Sequence, residues 1–322
     1  MRSTRWLGLL GLYIGAQALA LALALPFRSA GFSSPSSGTN PFTPLLLIAA
    51  VVIVPIIILL FARRKSLFTG LRWLLLLAIG AALLITLVET LLIAIPYSLL
   101  LPPPSAEITV YPAVALAAVL AAALFLALIM EPQWYVVDLA GFVAAGAVIA
   151  ILGGSFAILP SFVLLIGLAV YDYIAVYRTK HMLRLADVIV DMKLPILMVM
   201  PEDPHYDYPK SPSLEAIRQT PVDERGALFM GLGDVVIPGV LVVAAFVWLP
   251  ASPVILGIPA GLWTAIGALA GSLVGYAVLM RLVQRGTAHA GLPLLNSGAI
   301  VGYLVTFLLV YHSFGFGLTG AL

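Results

Sequence analysis

Nine stretches of roughly 20 apolar residues divide this chain, and each is long enough to cross the hydrocarbon core of a bilayer as a helix. They are Trp6–Leu25, Pro44–Ala62, Trp73–Tyr97, Tyr111–Met130, Trp134–Leu152, Phe156–Tyr177, Ala227–Trp248, Ile255–Val283 and Gly291–Phe314. Only 9% of the 322 residues are charged, against about 25% in a soluble protein. Too few polar side chains remain to cover a water-facing surface, so the main solvent is lipid. The expected fold is an all-α polytopic membrane protein of nine transmembrane helices. It forms one membrane-embedded domain over residues 1–322, with six spans before a loop at about 178–225 and three after it.

The basic residues orient the spans. If each span switches sides, Arg2, Arg5, Arg63, Arg64, Lys65, Arg72, the seven basic residues from Arg178 to Arg225, Arg281 and Arg285 share one side. That is 15 of the 16, with Arg28 alone opposite. The positive-inside rule makes the crowded side the cytoplasm, so the N-terminus is expected inside and the C-terminus outside. Arg2 and Arg5 before an apolar run also resemble a signal peptide, with Ala22-Leu23-Ala24 as a cleavage site. The run is nearer 20 residues than the usual 7–15, which favours a retained helix.

Two connections stand out. Arg28 to Thr43 is rich in Ser, Gly and Pro and reads as a flexible extracellular loop. Arg178 to Arg225 is hydrophilic and of mixed charge. Inside it Ile196–Met200 is apolar and lies between Pro195 and Pro201. It reads either as a short strand or as a segment on the membrane surface. In the eighth span Gly267, Gly271 and Gly275 recur every four residues, which makes a face for close helix packing.

Four acidic residues fall within spans: Glu89, Asp138, Asp172 and Asp234. An ionisable group at that depth costs at least ~2.5–3.5 kcal/mol, so each is a functional candidate. Asp138 lies four residues from Trp134, within reach of the headgroups, and reads as structural. Glu89 reads as a hydrogen-bonding group between helices. Asp172 and Asp234 differ because their depths match. At 1.5 Å per residue, both sit roughly 7–11 Å below the cytoplasmic face, on consecutive antiparallel spans. Two close carboxylates share one proton. The ionised member can deprotonate a water while the protonated member polarises a scissile carbonyl, and the pair titrates as a unit. The other use of such groups is an ion or proton relay in a secondary transporter or cation channel. Transporters are commonly built from repeats, and none is evident here. The absence of cysteine excludes disulfides, thiolate metal sites and a cysteine nucleophile. No cofactor, metal or nucleic-acid partner is expected.

The residues around the two aspartates carry a resemblance. Tyr171-Asp172 resembles the Tyr-Asp motif of the presenilin and signal peptide peptidase family, and Gly231-Leu232-Gly233-Asp234 resembles its Gly-x-Gly-Asp motif. Glu224-Arg225-Gly226 is similar to the approach to that motif, and Pro293-Leu294-Leu295 resembles Pro-Ala-Leu. Order, spacing and span number agree along essentially the whole chain, and the resemblance is greatest to archaeal presenilin homologues. It implies an intramembrane aspartyl endopeptidase of a multi-pass protein, in an archaeal cell membrane, with Asp172 and Asp234 catalytic. Its substrates would be transmembrane-helix proteins within the bilayer. A homo-oligomer stays open and accessory subunits are not implied. Prepilin peptidases share Gly-x-Gly-Asp, but nothing here resembles their cysteine domain.

The motif neighbours then have paired readings. Gly231 and Gly233 either admit a substrate backbone beside Asp234 or permit tight packing. Tyr171 either hydrogen-bonds near the site or packs. Pro293 either leaves a carbonyl one turn earlier unpaired for substrate, or is an ordinary proline at a helix start. Leu294 replaces the family alanine, which puts substrate preference in doubt more than chemistry. The loop is much shorter than presenilin's, so the resemblance carries no self-cleavage over to it. The apolar Ile196–Met200 stretch offers a strand edge that an unwound substrate could join.

Overall fold

The computed structural model describes residues 4–31, 40, 42–62, 65–98, 106–179, 188, 195–210, 226–284 and 289–318. Nine long α-helices lie among them: α1 (Thr4–Ser29), α2 (Thr43–Ala62), α3 (Lys65–Ser98), α4 (Ala106–Met130), α5 (Trp134–Ser155), α6 (Ile158–Tyr173), α7 (Leu232–Trp248), α8 (Ala260–Val283) and α9 (Leu292–Tyr311). Six are long and apolar enough to cross a membrane, and α2, α4 and α7 contribute shorter apolar helices. Most of the Arg28–Thr43 loop, Arg63, Arg64, Glu224, Arg225 and the C-terminal residues lie outside the described residues.

The centre of the bundle is α5 and α7. Every residue from Val235 to Ala245 is buried, as are 13 residues of α5. Close approach requires small side chains, because two backbones cannot come near one another across bulk. A Cβ on Gly153 of α5 would meet Val243 Cβ of α7, and one on Gly271 of α8 would run into the Gly298 carbonyl of α9. Gly267 and Gly275 of α8 face Thr306 and Leu294 in the same way. The four-residue glycine spacing therefore forms the α8–α9 contact. Helix α1 is tied into this centre by polar groups. Gln17 donates to the Val235 carbonyl (3.1 Å), Tyr13 to Ser272 Oγ (3.0 Å) and Tyr276 to the Trp6 carbonyl (2.9 Å). Outside, Leu46, Leu74, Val119, Val274 and Leu309 stand exposed. That surface suits lipid and would be a liability in water.

Three element boundaries differ from the sequence expectation. The stretch Ala227–Gly231 is not the first part of the seventh span. It is a strand, β2, paired antiparallel with β1 (Leu197–Pro201), with Leu197 opposite Gly231 and Pro201 opposite Ala227. Helix α7 begins only at Leu232, whose N–H is taken by the Ile196 carbonyl (3.0 Å). The apolar Ile196–Met200 stretch is thus a strand within one residue. The eighth span starts late for a similar reason. Val254–Ile255 (β3) and Ile258–Pro259 (β4) form a hairpin that turns through Leu256 and Gly257, both at positive φ. The sixth helix is regular only to Tyr173 and then widens into a π-turn, Ile174–Arg178.

Candidate active site

Asp172 is the last residue but one of regular α6 and is buried. Its Oδ2 accepts the Leu292 N–H at 3.1 Å. Leu292 is the first residue of α9, so Asp172 satisfies a backbone donor that a helix N-terminus leaves open. Asp234 is the third residue of α7 and sits in that helix's first turn, where the macrodipole favours negative charge. It is partly exposed to a cavity of about 100 Å³ whose walls include Leu9, Phe229, Met280 and His289.

The two carboxylates converge on one short segment. A Cβ built on Gly291 would lie 2.8 Å from Asp234 Oδ1 and 2.9 Å from Oδ2, while the next N–H, on Leu292, is held by Asp172. Two carboxyl groups bordering one short segment are the groups that general acid–base chemistry on a carbonyl and a water calls for.

The other expected residues fall as follows. Gly231 ends β2 in extended conformation, and a Cβ there would meet Asp234 Oδ2 only at 3.6 Å, an ordinary contact. Gly233 is exposed, with open space where a Cβ would go. Leu232 packs its Cδ1 close to Gly141 of α5. Tyr171 is partly buried against the main core. Pro293 is the second residue of α9, and the Gly291 carbonyl accepts both Leu294 N–H and Leu295 N–H (3.1 Å each). It thus occupies a helix start, where a missing N–H costs little, and interrupts no helix interior. Leu294 is partly buried, its carbonyl accepting Ser297 Oγ (3.1 Å), and Leu295 is fully buried. Glu89 stands on α3, which packs on α4 and α5, and has no hydrogen bond among the described residues. Asp138 is buried and accepts the Val199 N–H at 2.7 Å.

Sequence reasoning missed several contributors. Gly291 lies between the carboxylates, and only its place before Leu292-Pro293 hinted at it. Gln17, a lone amide in an apolar span, holds the carbonyl of the residue after Asp234. Tyr177 and His289 meet at 3.1 Å beside the cavity, joining the π-turn after Asp172 to the segment before Gly291. Between α6 and α9, Leu165, Ala169, Tyr173, Pro293 and Asn296 line an apolar groove of about 310 Å³. Ile166 and Val170, on its wall, are exposed at the bundle surface.

An apolar helical bundle holding two apposed carboxylates in its interior has the make-up of an intramembrane aspartyl protease. The family model described as signal-peptide peptidase, presenilin aspartyl protease matches residues 10–311, and the chain belongs to that family. Two solved structures of a presenilin family intramembrane aspartate protease, in C222 and P2 space groups, are similar along their length. The first is 29% identical, covers 95% of this chain and 99% of its own, and superposes with a TM-score of 0.59. The second is 30% identical, with 93% and 96% covered and a TM-score of 0.60. No curated protein matches the chain. The protein is accordingly a multi-pass membrane hydrolase of the aspartyl type, and the transporter or channel reading has no support.

Proposed function

We propose that Asp172 and Asp234 are the catalytic pair with which this protein hydrolyses peptide bonds inside transmembrane segments of other membrane proteins. The observation that supports this most is the convergence of both carboxylates on Gly291-Leu292. In the reaction the ionised acid takes a proton from water, and the resulting hydroxide attacks the scissile carbonyl carbon. The protonated acid hydrogen-bonds the carbonyl oxygen as charge builds there. Collapse of the tetrahedral intermediate passes a proton to the leaving nitrogen and restores the shared proton.

A peptide bond inside a helix has its carbonyl hydrogen-bonded, so the substrate must unwind first. The sheet offers replacement partners. Antiparallel pairing alternates which residues face the partner strand. Leu232 N–H to the Ile196 carbonyl and Glu202 N–H to the Gly226 carbonyl (2.8 Å) put the even-numbered residues of β1 and β2 on the shared ladder. Ala227 and Phe229 therefore turn their backbone groups to the outer edge of β2, while Gly231 caps the start of α7. A segment added there runs towards Gly231, three residues from Asp234. The lipid-side groove between α6 and α9 provides lateral access. Nine spans, an N-terminus inside and a C-terminus outside complete the reading, with the dyad nearer the cytoplasmic face.

The test is incubation of the purified protein with a labelled single-span substrate, beside Asp172→Asn and Asp234→Asn. Cleavage by the unaltered protein alone is expected. Undiminished cleavage by either variant would overturn the assignment.

A further inference from the structure

We propose that Asp138 is a positioning residue that pins the two-stranded sheet to α5 and so sets which bond of a bound segment meets the dyad. This rests on the proteolytic reading above. Asp138 is 4% exposed, in the second turn of α5. Its Oδ1 accepts the Val199 N–H at 2.7 Å, and its Oδ2 has no hydrogen-bond partner. The one hydrogen bond it makes is thus to the sheet and to no other helix. A buried carboxylate with one oxygen unpartnered is costly, and an apolar side chain would fill the same place in the bundle more cheaply.

The register explains why Val199 is the point of attachment. Val199 lies opposite Phe229 in a pair that does not share ladder hydrogen bonds, so its N–H faces away from β2. Asp138 takes it, and Pro201, two residues on, has no N–H to offer. The β1 edge thus offers no free N–H at Val199 or Pro201, while Ala227 and Phe229 of β2 turn their backbone groups the other way. One turn along α5, Gly141 lets Leu232 and the Pro195 carbonyl approach. The face of α5 that carries Asp138 and Gly141 thus backs the middle of β1 and the end of the β1–β2 unit that leads into α7. Strand β2 runs directly into Leu232 and Asp234, so a sheet held at fixed height holds the bound segment at fixed height against the carboxylate. If the sheet floats, a slip of two residues carries the segment on by about 7 Å and presents a different bond.

The experiment compares Asp138→Ala and Asp138→Asn with the unaltered protein on a labelled single-span substrate, mapping the cut bonds by mass spectrometry. Asparagine keeps an oxygen that can accept the Val199 N–H, so it is expected to keep the cleavage site and KM. Alanine is expected to spread cleavage over neighbouring bonds and raise KM about tenfold. Its kcat is expected to stay within about twofold, because the dyad is intact. Binding of a hydroxyl-bearing isostere of the tetrahedral intermediate, too short to pair with β2, is expected to be equal in all three. Asp138→Leu, of similar volume, takes the place of alanine if that variant does not fold. An alanine or leucine variant that cuts the same single bond with unchanged KM overturns the proposal. So does one that loses kcat and isostere binding together, since that marks a general structural role. If the unaltered protein cuts nothing, the assignment of the dyad fails and the positioning role with it. If it cuts and the variants match it, the positioning role alone fails.

Discussion

Gly291 shows how little room the candidate chemistry leaves. Any larger residue there would put its Cβ 2.8 Å from the Asp234 carboxylate, closer than real Cβ contacts come. Gly291→Ala is therefore expected to displace Asp234 and lower kcat by at least tenfold, with thermal stability nearly unchanged. Misplacing a reacting group by about 1 Å is enough for such a loss. Steady-state kinetics beside a melting curve checks both parts. Asp172→Asn and Asp234→Asn are expected to fall below a few per cent of normal turnover while remaining folded, because removing one member of a like-charge pair relieves repulsion. A variant that keeps substantial turnover would refute the pairing. Glu89→Gln, on a helix that packs on α4 and α5, is expected to keep full activity. Asp172 and Asp234 stood out in the sequence because an ionisable group in lipid is expensive, and because, of the four such residues, these two share a depth and sit in family-like motifs. Gly291 did not, because it is one of 28 glycines and its place before Leu292-Pro293 does not reveal that Asp234 lies against it.

At the scale of elements, the α8–α9 contact depends on glycine far more than on any polar bond. Gly271→Leu would thrust a side chain into the Gly298 backbone and is expected to destabilise the bundle by about 1–3 kcal/mol or more. Thermal unfolding in detergent measures this, and an unchanged transition would show that the two helices can separate freely. The four-residue glycine repeat was readable in the chain because helical periodicity puts such residues on one face. The start of the seventh span was not. Ala227, Leu228, Phe229 and Met230 are as apolar as the helix that follows, and a short apolar run does not distinguish strand from helix. The choice is made by β1, about 30 residues earlier, which offers a partner ladder. Its consequence is large, since it moves Asp234 from the third turn of a helix to the first.

For the whole molecule, two measurements bear on the reading. A reporter fused after the last residue is expected to be active only outside the cytoplasm, as nine alternating spans require. Cytoplasmic activity there would break the topology. Proteolysis is expected to peak at an intermediate pH and fall on both sides. Below the optimum both carboxyls hold protons and none can take one from water. Above it the shared proton is gone and nothing polarises the carbonyl. A rate that climbs steadily into alkaline solution would exclude the dyad. The amino-acid sequence alone determined the membrane setting and the helical class, and it made Asp172 and Asp234 candidates. Each follows from a free-energy cost that a single residue or a short run incurs wherever it folds. The tertiary structure alone decided what surrounds them: the strand that shortens the seventh helix, the bond from Asp172 to Leu292, the glycine against Asp234 and the tether from Asp138 to Val199. All four join residues at least about 30 positions apart, or depend on such a joining. No local pattern encodes a partner that only packing brings near.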